Sequence, residues 1–211
     1  MQIETAQAFD KVVAKAKRAH PAKTPRLLVC GGTGCMARGS LKVAEALRRE
    51  LDRQKVKATV GMAVKTTGCH GFCEVGPLVV LEPQGLLYNK VKPTDAKAIV
   101  ERTVAKGEVI TKLLYKDPDS KERIEHYRDI GFYKHQQWVA LRNVGLIDPE
   151  SIDEFLARGG YGAAVKALTQ LTPTEVITVV EDSKLRGRGG GGFATGRKWK
   201  SCIRAEGDVR Y

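Results

Sequence analysis

Arg26-Leu-Leu-Val-Cys30-Gly-Gly-Thr-Gly-Cys35 decides the fold. Arg26 to Val29 reads as a short apolar strand that runs straight into Cys30. A glycine-rich loop follows, and Ser40 stands where it can cap a helix. Leu41, Ala44, Leu47 and Leu51 form the buried stripe of that helix. Upstream, residues 3–19 read as a first helix, with Phe9, Val12, Val13 and Ala16 on one face and lysines on the others. Pro21 and Pro25 end it. Downstream, Lys57 to Val64 reads as a second strand ending near Thr66. It leads to a second loop, Gly68-Cys69-His70-Gly71-Phe72-Cys73. Leu78 to Leu81 and Leu86 to Tyr88 are short apolar runs around the turn Glu82-Pro-Gln-Gly85. Pro93 opens a third helix with Ala96, Ile99, Val100 and Val104 inward.

The order is therefore α-β-α-β-β-β-α. A β-α-β unit followed by β-β-α on one small sheet is a thioredoxin-like arrangement. Both cysteine loops follow strands, which predicts that they meet at one end of the sheet. Four of the five cysteines fall in two pairs, Cys30-x4-Cys35 and Cys69-x3-Cys73, and Cys202 stands apart. With no secretion signal, this spacing points to metal or redox chemistry before disulfides. Four thiolates can serve a tetrahedral zinc or an iron–sulfur cluster, and spacing alone does not choose. Gly31, Gly32, Gly34, Gly68 and Gly71 surround the cysteines, and such loops can aim backbone N–H groups at sulfur. Zinc knuckles more often use C-x2-C. His70 reads as a loop residue beside the centre, a hydrogen-bond partner and not a ligand, because four cysteines already suffice. Cys202 reads as a helix cysteine, buried or half-buried. His20, His126 and His135 read as surface or packing residues.

A length of 211 residues suits one or two domains, and 42% hydrophobic residues suffice for a core. No run approaches the ~18 apolar residues of a membrane span, and Met1 to His20 lacks an apolar signal core. The expected location is the cytoplasm, with no membrane insertion. The formal charge of +12 allows nucleic acid, an acidic partner or bound anions. The basic residues are dispersed and form no nucleic-acid motif, so no nucleic-acid partner is expected.

Residues 107–137 have weak periodicity, and Lys116-Asp-Pro-Asp-Ser-Lys-Glu122 reads as an exposed linker. Tyr115, Tyr127, Phe132, Tyr133 and Trp138 indicate that this connector packs on something. Asp148-Pro149 is expected to cap a helix running to about Leu156, stopped by Gly159-Gly160. Tyr161 to Leu168 reads as a short helix. Thr172-Pro-Thr-Glu175 has the form of a capping box, so Val176 to Val180 reads as helix in spite of its β-branching. Leu185 to Trp199 then holds six glycines and four basic residues in fifteen. Free N–H groups before a helix start can hold a phosphate, and Phe193 and Trp199 argue against a flexible linker. Gly187-x-Gly189-x-x-Gly192 formally matches a dinucleotide fingerprint but lacks the preceding strand, and the P-loop pattern fails at Arg197.

Two family resemblances follow from these motifs. Cys30-Gly-Gly-Thr-Gly-Cys35 with Gly68-Cys69-His-Gly-Phe-Cys73-Glu-Val-Gly-Pro77 resembles the thioredoxin-like [2Fe-2S] ferredoxins, including the 24 kDa-type subunit of respiratory complex I. The resemblance implies that Cys30, Cys35, Cys69 and Cys73 ligate one [2Fe-2S] cluster. Ser183 to Trp199 resembles the flavin-binding segment of the 51 kDa-type NADH dehydrogenase subunit. Tyr133-Lys-His-Gln-Gln, Asn143 to Pro149 and Gly159-Gly-Tyr161 are similar to the region before it. That resemblance implies a loop contacting FMN and NAD(H), made of Gly187, Arg188, Gly189, Gly190, Gly191, Gly192, Phe193, Thr195, Gly196 and Lys198. In it, Gly187, Gly189 and Gly190 line the flavin, Lys198 meets the FMN phosphate or ribityl end, and Phe193 stacks on the dinucleotide. Gly191 and Ala194 depart from the family's usual alanine and proline. Members of that family continue well beyond the point corresponding to Tyr211, so a truncated flavin domain is expected.

The resulting expectation is an α/β chain. It begins with a thioredoxin-like ferredoxin domain, and a mostly helical connector leads into the start of an α/β flavin-binding domain. Residues 1–108 form the thioredoxin-like [2Fe-2S] domain, 109–135 a linker, and 136–211 the N-terminal, incomplete part of the FMN/NADH-binding domain. The implied function is electron transfer between nicotinamide, FMN and iron–sulfur clusters, within a multi-subunit NAD(P)-linked oxidoreductase of the hydrogenase or formate dehydrogenase type. The alternative is a non-enzymatic [2Fe-2S] or zinc-binding interaction module.

Overall fold

The computed structural model describes residues 5–21, 25–55 and 62–207. Residues 14–158 form one compact unit, and residues 1–13 with 159–211 form a second. After helix α1 (Ala6–Ala19), strand β1 (Arg26–Cys30) leads to a five-residue helix α2 (Thr33–Ala37) and then to α3 (Ser40–Arg53). Strand β2 (Ala63–Thr67), strand β3 (Val79–Glu82) and strand β4 (Leu86–Tyr88) complete a sheet of order β2-β1-β3-β4. β1 pairs parallel with β2, from Arg26 opposite Ala63 to Cys30 opposite Thr67, and antiparallel with β3. The mixed sheet and its helices give the expected α/β, thioredoxin-like arrangement.

β1 is buried along its whole length, and the two-residue period of a strand divides its side chains between two cores. Leu27 and Val29 face Val43, Ala44, Leu47 and Leu51 of α3, together with Ile99 and Val100. Leu28 and Cys30 lie on the other face with Cys35, Leu78, Val80, Leu87, Ile130 and Tyr133. The second face is therefore closed by the connector, which lies far along the chain from β1. The third helix, α4, begins at Ala96 after a turn at Pro93–Asp95 and widens into a π-helix over Ile99–Val104. Its predicted inward residues are all buried. Tyr88 ties it to β4: its hydroxyl lies 2.7 Å from the Thr103 hydroxyl and accepts the Ile110 N–H at 2.9 Å.

Several local expectations are corrected. Ser40 does not cap α3; Gly39 does, at φ +88°, and Ser40 is already helical with a buried hydroxyl. A left-handed residue between two short-spaced helices is most easily supplied by glycine. That start rotates the helix so that Leu41 is exposed and Val43 takes its place in the core. The second strand, expected from Lys57 and ending near Thr66, is seen over Ala63–Thr67; residues 57–61 of that expectation lie outside the described residues.

Residues 115–124 form a small hairpin of β5 (Tyr115–Lys116) and β6 (Arg123–Ile124), its turn held by the Asp117 carboxylate accepting the N–H groups of Asp119 and Ser120. The short helix α5 (Gly131–Lys134) then carries Tyr133 into an aromatic group. Phe72 stacks on Phe132 at 4.7 Å, and Tyr133 meets Phe72, Tyr127 and Phe132 edge-on. Helix α6 is Ile152–Ala157, capped by Ser151 and not by Asp148. The Asp148 carboxylate instead accepts the Glu150 N–H at 3.0 Å, a local turn that competes with helix initiation.

In the second unit, α7 (Gly162–Gln170), α8 (Pro173–Asp182) and α9 (Thr195–Ile203) are all helices. The capping box holds: the Glu175 N–H donates to the Thr172 hydroxyl, and the Thr172 N–H donates back to the Glu175 carboxylate at 2.7 Å. Gly196 lets α9 approach α8 closely, since a Cβ there would stand 2.7 Å from the Glu181 Cα. Cys202 is exposed, contrary to the buried or half-buried expectation, because α9 packs on α8 through the face that carries Gly196. No helix among the described residues is long and apolar enough to cross a membrane.

Candidate metal centre

The parallel register of β1 and β2 creates the site. Cys30 ends β1 directly opposite Thr67, the end of β2, so the two following loops leave the same end of the sheet. The Gly31 N–H donates to the Thr67 carbonyl at 2.8 Å and joins them. Cys35 lies within α2, Cys69 in the second loop, and Cys73 opens a 3-10 turn over Cys73–Val75. Cys30 and Cys35 are buried, whereas Cys69 and Cys73 reach the surface.

Three glycines lie against three of these sulfurs. A Cβ on Gly32 would stand 2.7 Å from the Cys69 Sγ, one on Gly34 3.4 Å from the Cys73 Sγ, and one on Gly76 2.5 Å from the Cys35 Sγ. Cys69 and Cys73 Sγ are 4.0 Å apart, and the Gly71 N–H donates to the Cys69 sulfur at 3.3 Å. All five cysteines are free thiols among the described residues. Cys30 and Cys35 share a hydrogen bond that pushes the Cys30 thiol down to about 6. Burial opposes this shift, and backbone bonds from His70 and Gly32 assist it. The same bond and burial push the Cys35 thiol up. At Cys69 the Gly71 N–H favours the thiolate, but burial and the neighbouring Cys30 and Cys73 outweigh it and raise the thiol.

His70 has a different task from the cysteines. Its Nε2 lies 3.1 Å from the Thr67 hydroxyl, and burial pushes it down to about 4, so the ring is neutral. Gly145, at φ +73°, covers that ring so closely that a Cβ would stand 2.6 Å from its Cε1. The Tyr133 hydroxyl donates to the His70 carbonyl at 3.2 Å. Tyr133 of the connector and Gly145 beyond it thus clamp the loop between Cys69 and Cys73. Tyr133 and Gly145 are marked by no sequence motif; only the cluster of aromatics hints at them. Of the remaining histidines, His20 lies 3.7 Å from the Glu154 carboxylate and His126 bonds the Gln84 carbonyl at 3.0 Å.

The donor set can be tested against the two groups that four cysteines can hold. Cys30 interacts with both Cys35 and Cys69, and Cys69 with Cys73, so the four sulfurs form one connected set. Four thiolate donors grouped in this way, beneath glycines and an N–H group, fit an iron–sulfur cluster.

The glycine-rich segment belongs to the other unit. It closes as a tight loop: the Gly187 N–H donates to the Phe193 carbonyl and the Thr195 N–H to the Leu185 carbonyl, both at 2.9 Å. Gly190 and Gly192 take φ of +115° and +58°, which glycine supplies without strain. Gly187, Arg188, Gly189, Gly190 and Gly191 are exposed and Gly192 is half-buried; Phe193 is exposed, with the Arg197 guanidinium 5.8 Å above its ring. Thr195, Gly196 and Lys198 lie in the first turn of α9. An open cavity of about 650 Å³ beside the loop is lined by Lys184, Arg186 and Arg197, with Glu181 and Asp182 on the same wall.

Comparison with known proteins identifies the family of the domain that carries the paired cysteines. Residues 15–104 match the family of thioredoxin-like [2Fe-2S] ferredoxins. The chain is 37% identical over 79 residues to the 2Fe-2S ferredoxin of Clostridium pasteurianum, a match covering 37% of this chain and 76% of that one. It is 50% identical over 78 residues to the HndC subunit of the NADP-reducing hydrogenase of Solidesulfovibrio fructosivorans, covering 37% of this chain and 16% of that one. It is 47% identical over 73 residues to a subunit of the NADH-quinone oxidoreductase of Rhizobium meliloti (strain 1021), covering 35% of this chain and 17% of that one. These matches therefore span about a sixth of the length of each of the two oxidoreductase subunits. Through residues 15–104, which carry all four paired cysteines, the chain belongs to the thioredoxin-like [2Fe-2S] ferredoxin family.

Proposed function

We propose that this chain is an electron-transfer subunit, or part of one, in an NAD(P)-linked oxidoreductase complex. One observation carries the reading: four free cysteines meet at one end of the sheet, with glycines and backbone N–H groups laid against their sulfurs. Cys30, Cys35, Cys69 and Cys73 would hold the [2Fe-2S] cluster, which when bound supplies one-electron transfer. The chain's own residues fix the thiolates, keep water from the buried Cys30 and Cys35, and leave Cys69 and Cys73 open toward an electron partner.

The glycine loop supports the finer part of the proposal. Its exposed N–H groups, its positive-φ glycines and the cations around it suit a bound flavin or nucleotide phosphate. The relatives named as subunits of an NADP-reducing hydrogenase and an NADH-quinone oxidoreductase support a nicotinamide nucleotide as a ligand and other oxidoreductase subunits as partners, and the resemblance of Ser183 to Trp199 to a flavin-binding segment supports FMN. On this reading residues 1–108 are the ferredoxin domain, 109–135 the linker, and 136–211 the N-terminal part of an FMN/NADH-binding domain.

Anaerobic purification tests the reading. The protein should be red-brown, with iron and acid-labile sulfide at roughly two each per chain. Zinc without iron would sink it and leave an interaction module. NADH oxidation with an artificial acceptor, on this chain and on a version extended at its C-terminus, tests the flavin part separately.

A further inference from the structure

The second cysteine loop is held by a side chain from outside it. Arg38 directly follows α2, three positions after Cys35. Its Nη1 donates to the carbonyl oxygens of Cys73 at 3.1 Å, Glu74 at 2.7 Å and Gly76 at 3.4 Å. These three carbonyls belong to the turn that Cys73 opens and to the residue that ends it. The same two segments also interlock through sulfur. Gly34 of α2 faces the Cys73 sulfur, and Gly76 faces the Cys35 sulfur. One cation therefore bridges the segments that carry Cys35 and Cys73. Its guanidinium is an always-charged donor, and charge-assisted bonds are about twice as strong as neutral ones.

We propose that Arg38 is a positioning residue of the cysteine centre. It fixes the Cys73 turn against the helix of Cys35, and its charge favours the reduced state of the group held there. The inference rests on the reading of the four cysteines as a cluster site. A cluster bound by four thiolates is net negative, and reduction adds one more electron. A fixed positive charge nearby stabilises that added electron and raises the reduction potential.

The test compares wild type, R38K and R38Q, each as the full chain and purified anaerobically. Iron and sulfide are assayed first. A wild type without them overturns the cluster reading itself; a wild type with both leaves Arg38 to be judged. Redox titration at low and high salt, and iron release to a chelator, then follow. R38Q is expected at a more negative potential, with the gap narrowing as salt rises because Arg38 is exposed. Its iron release should be about tenfold faster, the usual scale for lost outer-shell support. R38K keeps the charge on a shorter side chain, so it should retain the potential and release iron at an intermediate rate. R38Q with wild-type potential and release rate overturns the proposal. Should R38Q not fold by circular dichroism, R38K decides: a wild-type release rate there overturns the positioning role.

Discussion

Gly76 stands so close to Cys35 that a Cβ on it would lie 2.5 Å from the sulfur. Gly76 has φ −69° and ψ 164°, and Gly32, which faces the Cys69 sulfur, has φ −64° and ψ 149°. Any residue adopts those angles, so neither glycine is required by the backbone. Each is required by a sulfur. Gly76→Ala and Gly32→Ala should therefore fold, at a cost of about 1–3 kcal/mol from overpacking, but bind much less iron per chain than wild type. Gly34→Ala, with 3.4 Å to the Cys73 Sγ, should retain more iron than either. Equal iron content in all three variants and wild type would show that the sulfurs move freely.

A second prediction separates the fold from the metal centre. The Tyr88 hydroxyl serves both the Ile110 N–H and the Thr103 hydroxyl in a buried setting. Tyr88→Phe keeps the ring but leaves those partners unsatisfied, which should cost about 1–3 kcal/mol. Chemical denaturation should show a lower midpoint with an unchanged slope. Iron content should match wild type, because these groups lie in the core with Ile99 and Val100, on the opposite face of β1 from Cys30 and Cys35.

Local signals in the sequence predict the elements and the cysteine meeting point, because those depend on short-range physics. The apolar run of Arg26 to Cys30 is a strand buried on both faces, and cysteines that end or follow two parallel strands must lie at the same end of the sheet. The Thr172–Glu175 capping box outweighs the β-branched residues after it. Expectation and structure part where two local solutions compete. Gly39 and Ser40 both suit a helix start, and the choice between them decides whether Leu41 or Val43 is buried. Asp148 and Ser151 both suit an N-cap, and Asp148 is engaged by Glu150. The roles of Arg38, Tyr133 and Gly145 are illegible in the sequence because their partners lie far away in the chain, where no periodicity reaches.

The clamp on His70 yields a third prediction. Gly145 is doubly constrained: its φ of +73° disfavours a side chain, and a Cβ would strike the His70 ring. Gly145→Ala should release the connector and the segment that follows it from the second cysteine loop. Hydrogen exchange should rise locally at residues 127–146 and 68–73 while the amides of β1 and β3 stay protected. Tyr133→Phe, which removes only the bond to the His70 carbonyl, should produce the same pattern more weakly. Exchange that rises throughout the sheet in Gly145→Ala would instead make this glycine part of the global core.

The last prediction concerns acid stability. Glu154 is a buried carboxylate beside Lys65, with His20 at 3.7 Å and the Asp148 N–H donating to it at 3.1 Å. Burial works to raise its pKa, but the Lys65 bond, the Asp148 N–H and the charges of Lys65 and His20 together outweigh it and hold the carboxyl below its ordinary value. A carboxyl depressed in the folded state stabilises the protein above the unfolded pKa, about 4.3 for a glutamate. That contribution disappears as pH falls through the folded value. Glu154→Gln should therefore lower stability at neutral pH, by up to about 3–5 kcal/mol if Lys65 is left charged and unpaired. It should also flatten the acid limb of the stability curve, so that wild type and variant converge as pH falls from the unfolded value through the lower folded one. Curves that stay parallel through that range would mean the Glu154 carboxyl titrates alike in both states, and would remove the ion pair from the account of stability.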